Sequence, residues 1–316
     1  MNLFFAFFRL VRWLNLVFIS LTQILFYYFI IPFVFSKRYF AEAHNFPTWY
    51  FSLLLIASVC IAAAGYIIND YFDLNIDLVN KPSKVIFGKY IKRRWGILLH
   101  ILFSLTGFFL SLYVGYKIRN FYIPFFNLLA IAGLWVYSTT LKKQLLIGNI
   151  IISLLTSWVI IVIAMAEYKT QYSDISSIDK YVNPRLMKLT FLYAGFAFVI
   201  SLVREVIKDI EDINGDLKYG CKTMPIVWGV PVAKVFTGVW LVVLIGIVCI
   251  LQFYVIHLGW WLSAIYSLSF IIIPLLLILK NLYKAKIQAD YHQLSSLVKF
   301  VMLTGILSML FFRIYT

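Results

Sequence analysis

Eight of the 13 acidic residues of this chain fall in two short stretches. The first runs Asn69-Asp70-Tyr71-Phe72-Asp73-Leu74-Asn75-Ile76-Asp77. The second runs Arg204-Glu205-Val206-Ile207-Lys208-Asp209-Ile210-Glu211-Asp212-Ile213-Asn214-Gly215-Asp216. At about 100° per residue, Asn69, Asp73 and Asp77 share one helix face, spread over an arc of about 80°. On the same step Glu205, Asp209, Asp212 and Asp216 share one face as well. If that helix persists, these four carboxylates crowd into an arc of about 60°; Gly215 is where it would end one residue early. Like charges four apart repel, so two such rows point to bound divalent metal. All-oxygen ligands select the hard ions Mg²⁺ or Ca²⁺. Mg²⁺ takes one or two carboxylates and completes its shell with waters and substrate phosphates, so the expected third party is a diphosphate held between the rows. The expected metal ligands are Asn69, Asp70, Asp73 and Asp77 from the first row, and Glu205, Asp209, Asp212 and Asp216 from the second.

The elements that must position these rows are membrane helices. The 316 residues are 63% hydrophobic and 13% charged, with a mean hydropathy of +0.90. A soluble domain averages about 45–50% apolar and about 25% charged, so a soluble enzyme, a disordered chain and a coiled coil are excluded. Segments of about 20 apolar residues span the hydrocarbon of a bilayer. Nine qualify: 14–35, 48–68, 96–116, 120–138, 145–166, 186–203, 233–256, 260–280 and 297–315. They are continuous runs, without the alternation of a β-barrel, and so read as helices. The expectation is an all-α, polytopic bundle of nine transmembrane helices forming one domain over 1–316.

The acids follow spans two and six. With the N-terminus inside, most of the 28 lysines and arginines lie on the inner side, as the positive-inside rule requires. The C-terminus is then outside and both acidic rows are cytoplasmic. The same distribution explains the net charge of +15 better than nucleic-acid binding does. Arg9 and Arg12 precede the first span as a cytoplasmic lead-in, and no removable signal peptide is expected. Cys60, Cys221 and Cys249 are far apart and form no CxxC, so no disulfide framework or zinc signature is expected. Trp49, Tyr50, Trp260 and Trp261 read as interfacial anchors. His44, His100, His257 and His292 show no partner spacing and read as structural or interfacial.

At the acidic rows the chain resembles the UbiA-type superfamily of membrane prenyltransferases. The family's NDxxDxxxD motif is matched by Asn69, Asp70, Asp73 and Asp77. Its second, Asp-rich helix is matched by Asp209, Asp212 and Asp216, followed by Gly220, Lys222, Thr223 and Pro225. The words Tyr137-Ser138-Thr139-Thr140-Leu141-Lys142 and Leu146-Ile147-Gly148-Asn149, with Arg204 to Asp216, are similar to the branch that makes digeranylgeranylglyceryl phosphate. One stretch departs from the family: Asn-Arg-Pro-x-Arg-Pro is replaced by Asn80-Lys81-Pro82-Ser83-Lys84-Val85. Lysine keeps the charge but lacks the bidentate fork of arginine, which bears on acceptor identity.

The resemblance implies that Asn69, Asp73 and Asp77 hold one Mg²⁺ and Asp209, Asp212 and Asp216 a second, with a polyprenyl diphosphate between. It implies catalytic roles for Asp73, Asp212, Lys142 and Tyr137. Substrate contacts are expected from Asn69, Lys81, Lys84, Lys142, Asn149, Arg204 and Lys208. Tyr66, Tyr71, Phe72 and Tyr137 are aromatic faces able to stabilise carbocation character, or ordinary packing. The implied acceptor is a lipophilic prenylglyceryl phosphate, with an aromatic quinone precursor as the alternative. Membrane lipids surround the chain, and no nucleic acid or protein partner is expected. Two rival classes remain beside the enzyme, an ion- or proton-coupled transporter and an inactive scaffold. Transporters place charges at mid-membrane and show broken helices or inverted repeats; here the acids sit at span ends. The Asp-Gly and Ala-Arg words of CDP-alcohol phosphatidyltransferases do not occur.

Overall fold

A computed structural model describes residues 2–35, 46–167 and 183–315, and these form helices joined by short connections. His44 lies outside them, as does the side chain of Lys84. Lipid offers no partner to a bare N–H or C=O, so each apolar run closes its hydrogen bonds within itself. A short helix, α1 (Leu3–Leu10), comes first. The helices long and apolar enough to span are α2 (Trp13–Val34), α3 (Thr48–Asn80), α4 (Arg93–Lys117), α5 (Tyr122–Thr139), α6 (Ile147–Ala166) and α7 (Pro184–Glu211). After the short α8 (Ile213–Lys218) and α9 (Met224–Val227), three more follow: α10 (Val230–His257), α11 (Trp261–Lys284) and α12 (Gln288–Ile314). Nine spanning helices among the described residues match the nine expected runs.

Three spans outrun the hydropathy reading. Helix α3 has 33 residues and α7 has 28, where 21 and 18 were expected, and α12 begins at Gln288 instead of 297. At 1.5 Å per residue α3 is about 50 Å long, well beyond the ~30 Å of hydrocarbon. The acidic motif of α3 lies on this extension and is continuous with the span. Helix α3 ends at Asn80, where Pro82 cannot continue it.

Two spans contain a π-helical turn, Phe26–Ile30 in α2 and Leu268–Ile272 in α11, each shortly before a proline, Pro32 and Pro274. Proline lacks an N–H and crowds the carbonyl four residues back; a wider turn relieves both.

The chain divides into two compact units, residues 1–139 with 158–194, and residues 140–157 with 195–316. In the first, Ala6, Leu10 and Val11 of the N-terminal segment form a buried cluster with Ala63 and Ile67 of α3 and Ile86, Phe87 and Ile91 of the following loop. Helix α3 approaches α5 closely at Gly65, where a Cβ would stand 2.8 Å from Leu134 Cδ2. In the second unit, the C-terminal half of α7 packs through Val203, Val206, Ile207 and Ile210 into a cluster with Leu241, Leu275, Leu294 and Val298 of α10, α11 and α12. Each unit thus anchors one acidic row on a buried apolar face.

Candidate active site

The first row lies in the first unit. Asn69, Asp70, Asp73 and Asp77 are all half-buried on the last turns of α3. Asn69 Oδ1 is buried with no hydrogen-bond partner. An oxygen held dry in this way is a ligand that a hard cation can use. Asp70, about 100° from Asn69 but only about 20° from Asp77 on the same step, accepts at Oδ1 from Arg12 Nη2 at 2.6 Å. The Arg12 guanidinium also stands 5.2 Å from the centre of the Tyr66 ring. Beside this pair a recess is lined by Asp70, Leu74, Asp77, Val85, Ile86 and Phe87. The Arg93 guanidinium lies 4.5 Å from the Tyr71 ring, so one face of that ring already carries a cation. Phe72 meets Trp135 edge-on at 6.0 Å. Lys81 caps α3, its N–H bonded to Asp77 O at 2.8 Å. Tyr137 is half-buried near the end of α5.

The second row lies in the second unit. Glu205 Oε1 accepts from Arg204 Nη1 at 2.9 Å, and Lys208 Nζ is 3.2 Å from both Glu205 oxygens. Glu205 therefore sits between two cations: Arg204 and Lys208, expected as phosphate contacts, here contact this carboxylate. Asp209 Oδ2 accepts from Asn149 Nδ2 at 2.8 Å. Asn149 is buried near the start of α6, so it orients a carboxylate of the row.

The helix does not run unbroken to Asp216. Helix α7 ends at Glu211, and Asp212, with φ −98° and ψ 6°, caps the separate α8 that carries Asp216. The expected arc of four carboxylates is thus two on α7 and two across a kink. Gly215 is not the terminator either: it is buried inside α8. Gly220, at φ +69°, follows the end of α8, with its N–H bonded to Leu217 O, a conformation that suits glycine.

Lys142 belongs to a short turn, Leu141–Lys143, whose backbone bonds to the loop after the second row through Lys222 N–H and Lys143 O at 2.7 Å. A Cβ on Gly148 would stand 2.8 Å from Lys142 Cα and 2.9 Å from Leu141 O. Glycine is required there for this turn to lie against α6. Two further contacts carry no sequence signal. Buried Glu211 is bonded to His292 Nδ1 at 2.9 Å, and Arg12 reaches Asp70 across 58 positions. His100 is bonded to Ala64 O at 3.0 Å, which bears out its structural reading.

Among the described residues no three His, Cys, Asp or Glu side chains converge on one point. Such a set is not what Mg²⁺ needs, since it takes one or two carboxylates and leaves its other positions to water and phosphate. The first row offers that number, Asp73 and Asp77 with the Asn69 oxygen; the second offers any two of Asp209, Asp212 and Asp216.

Comparison with known proteins identifies the family. A family model described as the UbiA prenyltransferase family matches residues 29–305. A digeranylgeranylglyceryl phosphate synthase of Methanobrevibacter smithii is 30% identical over 237 residues, 74% of this chain and 74% of that protein. One of Sulfurisphaera tokodaii is 30% identical over 253 residues, 79% and 84%. Among solved structures, an apo UbiA homologue of Aeropyrum pernix aligns with a TM-score of 0.64 at 16% identity, over 98% of this chain and 99% of that one. A UbiA homologue of Archaeoglobus fulgidus bound to DMAPP and Mg²⁺ aligns at 0.57 and 15% identity, over 96% and 99%. Nine membrane-length helices among the described residues, two acidic rows and a match over most of the sequence lead to one assignment: the chain is an integral membrane protein that belongs to the UbiA prenyltransferase family.

Proposed function

We propose that this chain, acting as one transmembrane domain over 1–316, catalyses Mg²⁺-dependent transfer of a geranylgeranyl group from its diphosphate to a prenylglyceryl phosphate. The observation that carries the reading is an acidic row on each unit, borne where a membrane helix gives out. The names of relatives about 30% identical over most of the chain support the choice of acceptor. Asn69, Asp73 and Asp77 would hold one ion, and Asp209, Asp212 and Asp216 would supply the carboxylates for a second. When bound, the ions neutralise the diphosphate and improve it as a leaving group.

The remaining roles belong to side chains. Asn149 keeps Asp209 aimed by its 2.8 Å bond. Lys142, with Arg204 and Lys208, adds cationic contacts to phosphate oxygens, and Lys81 and Lys84 supply charge after the first row. The allylic C–O bond breaks and its electron pair leaves with the diphosphate. The acceptor hydroxyl oxygen then bonds to the freed carbon and loses its proton, giving an ether. Tyr137 and Phe72 offer ring faces to the developing cation, and apolar walls keep water from it. The N-terminus and both rows face the cytoplasm of the cell membrane, as the lysine and arginine distribution favours.

The test uses the purified full chain in detergent with geranylgeranyl diphosphate, Mg²⁺ and geranylgeranylglyceryl phosphate, and hydroxybenzoate in parallel. A doubly prenylated glyceryl phosphate, lost with EDTA and in Asp73→Asn and Asp212→Asn, is the expected product. Product from the aromatic acid alone would move the enzyme to a quinone pathway. No diphosphate release with any acceptor would overturn the reading.

A further inference from the structure

We propose that α1 and the segment 85–94 form a platform seated in the membrane surface: the phenylalanines of α1 insert among lipid chains, and Lys92 and Arg94 hold the phosphates of anionic lipid headgroups. The platform requires only that α3 and α4 span the bilayer; the reaction does not enter.

The underside of the platform is fixed to the first unit. Ala6, Leu10 and Val11 share a buried cluster with Ala63 and Ile67 of α3 and with Ile86, Phe87 and Ile91. The segment 86–91 is a closed turn. Gly88 N–H bonds to Ile91 O and Tyr90 N–H to Ile86 O, both at 3.0 Å, and Gly88 stands at φ +81°. The rings of Phe7 and of Phe103 on α4 lie 6.3 Å apart. Phe103 is about 15 Å along α4 from Arg93, beside Ile101 and Leu102, which are exposed on the outside of the span. Trp95, exposed near the start of α4, stands where aromatic residues mark the membrane surface. Helix α1 therefore lies at the depth where the span meets that surface.

The upper side is not built for water. Ala6 and Leu10 are fully buried, yet Leu3, Phe4 and Phe5 are 67%, 66% and 62% exposed, and Phe8 is exposed as well. A helix between protein and water turns a polar face outward; α1 turns an apolar one outward. The Phe4 and Phe8 rings lie 4.7 Å apart, so the outward face is continuous. Such a face suits the boundary between headgroups and acyl chains, and basic residues beside it suit anionic lipid. Lys89, Lys92, Arg93 and Arg94 are all exposed, and no acidic residue occurs between Asp77 and Glu167. Lys89 Nζ bonds to Pro82 O at 2.9 Å, and Arg93 lies over Tyr71. Lys92 and Arg94 have no partner among the described residues. Two free cations next to an apolar insert complement a lipid surface that carries phosphate.

The first experiment measures depth. Spin labels are placed by Phe4→Cys, Phe5→Cys or Phe8→Cys in the full chain carrying Cys249→Ala, since Cys60 and Cys221 are buried. The protein is reconstituted in phosphatidylcholine vesicles with and without phosphatidylglycerol. Collision with oxygen is expected to exceed collision with a water-soluble nickel chelate at all three positions, and to fall below it for a label at Lys89→Cys. Nickel-accessible labels on α1 would place it in water, and labels screened from both reagents would place it against protein, such as a second copy of the chain; either result overturns the proposal. Should Phe8→Cys not fold, the more exposed Phe4 and Phe5 decide. The second experiment reads the headgroup contact. Melting in detergent is followed while short-chain phosphatidylglycerol is added. Lys92→Gln and Arg94→Gln are each expected to raise the half-maximal lipid concentration about fivefold. Lys284→Gln, at an exposed lysine that ends α11, is expected to leave it unchanged. An equal shift with Lys284→Gln, or an equal response to phosphatidylcholine or inorganic phosphate, would overturn the headgroup assignment.

Discussion

The bond from Asn149 Nδ2 to Asp209 Oδ2 offers the sharpest test of the second row. Replacing Asn149 with alanine removes a donor 2.8 Å from the carboxylate and leaves Asp209 free to change rotamer. A hydrogen bond to a charged group contributes about 1.5–3 kcal/mol. At about 1.4 kcal/mol per factor of ten, its loss converts to roughly 10- to 100-fold in metal-dependent activity, the range seen when the partner of a metal ligand is removed. The helix itself is not weakened, since alanine is a better helix former than asparagine. Melting in detergent is therefore expected to change little while the Mg²⁺ concentration for half-maximal diphosphate release rises. Asn149→Asp, which sets a second carboxylate against Asp209, is expected to be worse than alanine. An Asn149→Ala enzyme within twofold of the parent in both rate and Mg²⁺ requirement would refute the claim that Asn149 aims the row.

Other outcomes follow from close contacts. Gly148→Ala forces a methyl to 2.8 Å from backbone; it is expected to lower the melting temperature by the equivalent of about 1–3 kcal/mol and to displace the Lys142 turn, raising KM for the diphosphate. Gly65→Val drives side-chain atoms into Leu134 and is expected to destabilise by a similar ~1–3 kcal/mol, read as a lower melting temperature. Trp158→Phe removes the Nε1 bond to Asn127 Oδ1 inside the membrane and is expected to cost only about 0.6 kcal/mol, with activity unchanged. EDTA is expected to abolish diphosphate release and Mg²⁺ to restore it, as a reversible metal requirement demands.

The spans were legible in the sequence because lipid enforces a single solution for each apolar run, and nine such runs meet nine helices among the described residues. The first row was legible as well, since α3 keeps its helical phase from Asn69 to Asp77. The second was legible in its residues but not its shape. A one-face projection assumes an unbroken helix, and the break comes at Asp212, where no glycine or proline announces it. Gly215 was a reasonable terminator by type, but it is buried within α8 and the turn falls to Gly220. Asn149 was expected to contact substrate, and its pairing with Asp209 was not legible. Its bond to Asp209 spans 60 positions, and the Arg12 bond to Asp70 spans 58. No local periodicity carries such pairings. Lys142 drew attention for its charge; the glycine that seats its turn, Gly148, did not.

The π-helical turns before Pro32 and Pro274 change how two of the spans are to be read. A π turn holds one residue more than the same rise of α-helix, so side chains beyond it are rotated by about 100° relative to an unbroken helix. Helix α2 and helix α11 therefore each carry two stripes out of phase, one on either side of Phe26–Ile30 and Leu268–Ile272. A single wheel drawn through either span assigns half its positions to the wrong side. Each turn is also a place where the chain can lose one residue and still reach the same two ends. Deleting one residue within 26–30 would restore an ordinary α-helical count without shortening the span. Deleting one on either side would instead drag a whole stripe around the axis, so these two short segments mark where a span of this protein tolerates a change of length.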